Sequence, residues 1–183
     1  MNMSAQVKQR RLQLALVSAF ALGAAAVGGS AAAANTASAT ATTTVITPIS
    51  ITKATDLAFG NIAASGTSGT VAVNTNNART VTGGVTAAGG TATAAKFDIT
   101  GQASLVYTIT YDTGVTLTGP GTAMALTQVS DVTGAGGASA TAATGTLSAG
   151  GTQSLFIGGT LAVAANQTAG AYTGTFNALV NYQ

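Results

Sequence analysis

From Thr43 to the end of the chain, short runs of Thr, Val, Ile and Ala alternate with clusters of Gly, Ser, Asn and Asp, and nowhere do apolar residues recur at the helical 3.6-residue spacing. Glu, a strong helix former, is absent, while the β-branched residues that suit a pleated surface are abundant. The mature chain is therefore expected to be all-β. The pattern predicts strands at Thr43–Thr52, Asp56–Ile62, Thr70–Asn74, Ala78–Thr82, Ala92–Thr100, Leu105–Tyr111, Val115–Thr118, Met124–Val129, Ala143–Ser148, Gln153–Ala164 and Ala171–Tyr182. The Gly-rich stretches Ala63–Gly69, Gly83–Gly90 and Gly119–Gly121 read as loops.

Alternation within these strands assigns a core. Leu105, Tyr107, Ile109 and Tyr111 share one face, as do Leu155, Ile157, Leu161 and Val163, with Gly158 and Gly159 placed where a bulge or a close strand approach would fall. The last strand puts Tyr172, Phe176, Val180 and Tyr182 together. All eight Phe and Tyr residues beyond the N-terminal segment are expected on strands, as core. Pro48 interrupts the first ribbon, which places it at a sheet edge or at a switch between sheets, with Val45, Thr47, Ile49 and Ile51 on one face.

The N-terminal segment has the form of an export signal. Lys8, Arg10 and Arg11 precede an apolar run from Leu12 to Val27, followed by the small-residue sites Ala32-Ala33-Ala34 and Ala37-Ser38-Ala39. The run is Ala-rich and interrupted by Gln13 and Ser18, so it reads as a signal helix that is cleaved and not as a retained anchor. A cut after Ala34 is preferred to one after Ala39. This divides the chain into a signal peptide (1–34), a flexible extension (35–44) and a β-sandwich domain (45–183), with no membrane span after cleavage. The product is expected in the periplasm, at the cell surface or outside the cell.

Removing the signal takes three of the six basic residues, leaving Lys53, Arg79 and Lys96 against Asp56, Asp98, Asp112 and Asp131. That slight negative balance offers no basic surface for nucleic acid. His, Cys and Trp are absent, which excludes His-based triads, the usual His/Cys metal sites and disulfides within the chain. The four acids are isolated in sequence. Lys96 and Asp98, two apart on one strand, are expected to form an exposed ion pair, Asp112 to sit in a hairpin turn, and Asp56 and Asp131 to orient turns. No base stands ready to activate the many hydroxyls. The chain is thus expected to be no enzyme and to hold neither cofactor nor metal.

Charged residues make up 5% of the sequence, against roughly 25% in an ordinary soluble domain. Open strand edges are normally guarded by Lys, Pro, bulges or inward charges. Here such guards are few, so either tight twisting protects the edges or a partner strand fills one.

The ordered elements Ile49-Ser-Ile-Thr-Lys53, Asp56-Leu-Ala-Phe-Gly-Asn61, Phe97-Asp-Ile-Thr-Gly101, Ile157-Gly-Gly-Thr-Leu161, Gly170-Ala-Tyr-Thr-Gly-Thr-Phe176 and Val180-Asn-Tyr182 resemble the secreted bacterial domain-of-unknown-function family 4402. The same pattern is similar to the spore coat protein U domain and, more distantly, to chaperone-usher pilin subunits. This resemblance implies an immunoglobulin-like (pilin-like) β-sandwich, exported and assembled at the cell surface by strand exchange. It implies that Phe59 packs under the first hairpin and Gly60 permits the turn after it. It also implies that Tyr172, Phe176, Val180 and Tyr182 form a C-terminal strand that a periplasmic chaperone grips before delivery to an usher.

The functional expectation is an exported structural or surface protein, of pilin or fimbrial type, that associates with itself or with other surface subunits through strand edges. The alternative is a monomeric secreted module that binds a glycan or protein through its Gly/Thr-rich loops.

Overall fold

A computed structural model of the protein describes residues 35–136 and 141–183. The expected signal segment, 1–34, lies outside them. Residues 35–49 carry no strand, and almost all are exposed. Thr44–Gln183 forms one compact unit. It is built from strands β1 (Ser50–Thr55), β2 (Ile62–Val73), β3 (Arg79–Ala87), β4 (Ala95–Thr100), β5 (Val106–Tyr111), β6 (Thr116–Leu117), β7 (Met124–Asp131), β8 (Thr144–Thr146), β9 (Thr152–Val163) and β10 (Ala178–Tyr182). Among the described residues there is no helix. The fold is all-β, with two sheets in a sandwich-like arrangement.

Strand β9 organises the larger sheet. It pairs with β7 along Phe156–Leu161, and on its other side it meets β4 over Thr152–Ile157 and β2 over Gly159–Val163. The handover falls at Gly158, where a Cβ would press on the carbonyl of Val73 and come within 3.0 Å of Asn74. Only a residue without a side chain lets the ends of β2 and β4 meet here, so the Gly158–Gly159 pair marks a close approach. Beyond β4 lies β1, beyond β2 lies β3, and β6 pairs with β7. The smaller sheet runs β10-β5-β8. All pairings are antiparallel.

Burial follows the alternation along each strand. Val71, Val85, Leu126 and Leu161 belong to one buried cluster, while Ile99, Tyr107, Leu155, Ile157 and Val180 belong to a second, shared between the two sheets. Each such side chain, fully buried, contributes about 1.5–3 kcal/mol. Tyr107 is completely enclosed, and its phenol donates to Oε1 of Gln153 at 2.9 Å, which removes the penalty of burying a hydroxyl. Gly145 lies against that ring and leaves no room for a Cβ.

Several expectations are corrected. Ala63–Gly69 is part of β2 rather than a loop, and the expected loop Gly83–Gly90 is strand as far as Ala87. The register shifts between Ala64 and Gly69, opposite Gly83 at φ 64°. A Cβ on Gly83 would lie 2.5 Å from the Ser68 carbonyl, so glycine marks a bulge inside a hairpin here. The first ribbon begins at Ser50 and not at Thr43. Pro48 has no amide to give, and the Thr47 amide turns to Oε1 of Gln102 at 3.3 Å. As Pro48 suggested, β1 is an edge strand, and a bulge between Lys53 and Thr55 disrupts its ladder.

Candidate functional site

Two extended segments face an unfilled part of the interior, and they contain two of the six elements that carried the sequence resemblance. The first, Asp56–Asn61, was expected to be a strand. It makes a single bridge, Ala58 to Thr93, before Gly60 turns the chain at φ 69°. The second, Gly170–Asn177, was expected to continue the last strand. It makes one bridge, Thr173 to Thr118. The ladder to β5 ends because the Asp112 carboxylate, and no main-chain carbonyl, accepts the Asn177 amide at 3.0 Å and its Nδ2 at 2.9 Å. The sequence reading placed Asp112 in a hairpin turn and missed this clasp, since nothing local to Asp112 announces a partner 65 residues away.

Three adjoining cavities run between these segments. The largest, about 720 Å³, is walled by Leu57–Ile62 on one side and Gly170–Tyr172 on the other, over Met124 and Leu161. The next, about 160 Å³, shares Leu57, Phe59 and Tyr172 with it and continues to Phe176. The third, about 240 Å³, shares Leu57 and Phe176 and ends at Lys53 and Asp56. Together they form a trough whose floor is apolar. Phe59 is buried in one cluster with Val71, Val73 and Val85, whereas Tyr172 and Phe176 are only half-buried. Phe176 meets Phe97 edge-on, with ring centroids 6.4 Å apart. The Tyr172 ring packs beside Gly119, and its hydroxyl donates to the Thr168 carbonyl and accepts from Gln167 Nε2.

Among the described residues, Leu57, Tyr172, Gly174, Thr175 and Phe176 have no backbone partner for their main-chain groups. Of the four C-terminal residues assigned to a strand, only Val180 and Tyr182 lie on β10; Tyr172 and Phe176 stand before it, on the trough wall. Phe59 likewise lies off any strand. At the far end of the interior, β1 and β10 converge, and the Tyr182 hydroxyl donates to the Thr47 carbonyl at 2.8 Å.

One wall depends on a residue the sequence reading left unassigned. Nη1 of Arg79, at the start of β3, donates to the carbonyls of Phe59 at 2.9 Å and Gly89 at 3.1 Å, and reaches that of Asn61 at 3.5 Å. The remaining charges are local. Lys53 pairs with Asp56 at 2.6 Å, and Lys96 with Asp98 at 3.0 Å in the expected ion pair. Lys96 first, and then the Ser154 hydroxyl, hold the Asp98 carboxyl below its ordinary range. Asp131 turns its own loop: its carboxylate accepts the amides of Thr133 and Ala135 and the Thr133 hydroxyl, each at 2.9 Å. Among the described residues, no two carboxylates are brought together in these contacts.

No curated protein and no solved structure matches the chain significantly. The profile of a domain of unknown function (DUF4402) matches residues 49–182, from the residue before β1 to the end of β10. The span takes in both trough walls and every strand, and the chain belongs to the DUF4402 family.

Proposed function

We propose that the protein is an exported, non-enzymatic surface subunit, pilin-like in its sandwich, which associates with further copies through strand edges, and that the trough seats an incoming strand. The observation that supports this most directly is the pair of extended walls, each with a single bridge and with Leu57, Tyr172, Gly174, Thr175 and Phe176 lacking backbone partners, over an apolar floor. Extended main chain with free donors and acceptors is a template for strand addition, and pockets between alternate residues supply side-chain selection. The chain also exposes apolar residues suited to fill such a seat: Val45 is 92% exposed and Ile46 42%. Insertion of one copy into the next is a head-to-tail contact, which yields a filament wherever its rotation does not close into a ring. A periplasmic chaperone holding the Gly170–Tyr182 region, and an usher, would complete the assembly route.

Sedimentation of the cleaved protein over a wide concentration range tests this. Association that Phe176→Asp abolishes, while circular dichroism still reports strands, supports the trough as the seat. A chain that remains monomeric at high micromolar concentration overturns it and favours the second reading, a monomeric binding module. For that reading the half-exposed Tyr172, beside Asn61 and Thr91 in the largest cavity, is the feature of interest.

A further inference from the structure

Outside the N-terminal segment the chain has three basic residues, and two of them pair with a neighbouring carboxylate. The third, Arg79, has no carboxylate within ion-pairing distance among the described residues; its guanidinium is spent on main-chain carbonyls of the trough wall. Phe59 and Asn61 belong to one segment and Gly89 to the turn after β3, so a single side chain ties two pieces of backbone that flank the 720 Å³ cavity. The main chain makes its own ties here as well, with the Asn61 amide on the Gly89 carbonyl and the Ala88 amide on the Asn61 carbonyl, both at 2.9 Å. Neither tie reaches Phe59, whose carbonyl is held by Arg79.

Gly60 belongs to the same device. A Cβ there would run into Nη1 of Arg79 and lie 3.0 Å from the Gly89 carbonyl, so Gly60 is needed for the guanidinium's berth as well as for its φ of 69°. Hydrogen bonds from a charged donor are roughly twice as strong as neutral ones. The arrangement is accordingly stiff where the neighbouring wall, Gly170–Phe176, has few main-chain ties.

We infer that Arg79 is the positioning residue of the trough, clamping the Phe59–Asn61 wall onto the Gly89 turn so that the wall presents a fixed face to an incoming strand; this rests on the trough being the seat of a partner strand. Arg79 does not touch the partner in this account. It acts through Phe59.

The test compares self-association of the cleaved wild-type chain, Arg79→Ala, Arg79→Lys and Ile109→Val by sedimentation, with urea unfolding of each. Ile109 is buried in the second cluster and lines none of the three cavities, so its truncation lowers stability while every trough-lining side chain stays in place. Arg79→Ala is expected to weaken association by about tenfold or more, the scale of a hot-spot loss, with Arg79→Lys recovering part of it and Ile109→Val close to wild type. Hydrogen exchange at the Asn61 and Ala88 amides should quicken in Arg79→Ala and not in Ile109→Val. Association of Arg79→Ala equal to wild type overturns the inference and leaves the seat standing. Parallel losses in Arg79→Ala and Ile109→Val also overturn it, since they report stability alone. A wild-type chain that never associates removes the seat and this inference with it.

Discussion

The phenol of Tyr182 and the main-chain carbonyl of Thr47, 135 residues apart, are joined by a hydrogen bond of 2.8 Å. The phenol oxygen of Tyr182 in turn accepts the Gln102 amide at 2.5 Å. One hydroxyl thus fastens the end of β10 to the approach to β1 and to the turn after β4. Tyr182→Phe removes both bonds and leaves an amide and a carbonyl to find water. We expect a loss of about 1–2 kcal/mol in urea unfolding, with an unchanged dependence on denaturant. An unaltered midpoint would show that solvent already serves these groups.

The Asp131 loop should loosen in acid. Partial burial opposes ionisation of this carboxyl, but bonds from the Thr133 amide and hydroxyl and the Ala135 and Val132 amides outweigh it and hold its pKa below the ordinary value. A depressed folded-state pKa gives a contribution that is fully present above the unfolded value, near 3.8, and is lost as pH falls through the folded one. Amide chemical shifts of Thr133 and Ala135 followed from pH 6 to pH 2 should therefore move together at a midpoint below that of a free Asp. Asp131→Asn should abolish the shared transition.

Tyr107 makes the opposite case at high pH. Burial raises the pKa of its phenol, so the unfolded chain deprotonates first, and stability present below about pH 10 declines as pH rises above it. Unfolding midpoints measured between pH 8 and pH 11 should fall in the wild type and fall less steeply in Tyr107→Phe. That variant starts lower, because Gln153 loses the hydroxyl on its Oε1.

Two glycines with similar backbone angles should respond differently to alanine. Gly83, at φ 64°, lies against Ser68 and Gly69 across the bulge, while Gly89, at φ 86°, has open space where a Cβ would be. Both substitutions strain the backbone, at about 1 kcal/mol, but Gly83→Ala also forces the hairpin apart, for a total of about 2–4 kcal/mol. Thermal unfolding of the two variants side by side checks the order. Equal losses would mean that the bulge yields freely.

Much of the fold was legible because burial in a sandwich obeys a period of two. Leu155, Ile157, Leu161 and Val163 announce their shared face, and all four are buried. Pro48 announces an edge through its missing amide. The misread stretches have a common cause: glycine loosens the local code. In Ala63–Gly69 and Gly83–Gly84 it permits backbones to touch across a bulge, whereas in Gly170–Phe176 it accompanies a segment that leaves its ladder. The same letters therefore signal strand in one place and none in the other, and what decides is a distant residue such as Asp112. The trough was half visible. Its motif residues Phe59, Gly60, Tyr172 and Phe176 stood out as a pattern, but Arg79 gave no sign, because three carbonyls converging on one side chain leave no trace in sequence.

The role of β9 bears on how the protein comes to be folded. β2, β4 and β7 all take their ladder partners from residues 152–163, the penultimate strand to leave the ribosome. Until then the earlier four-fifths of the chain can complete only the pairings that do without β9, such as β2–β3 and β1–β4, and closure of the sheet must await contacts across long spans of sequence, which are slow to form. A nascent polypeptide of this design cannot join β2, β4 and β7 into one sheet until its ninth strand has been made.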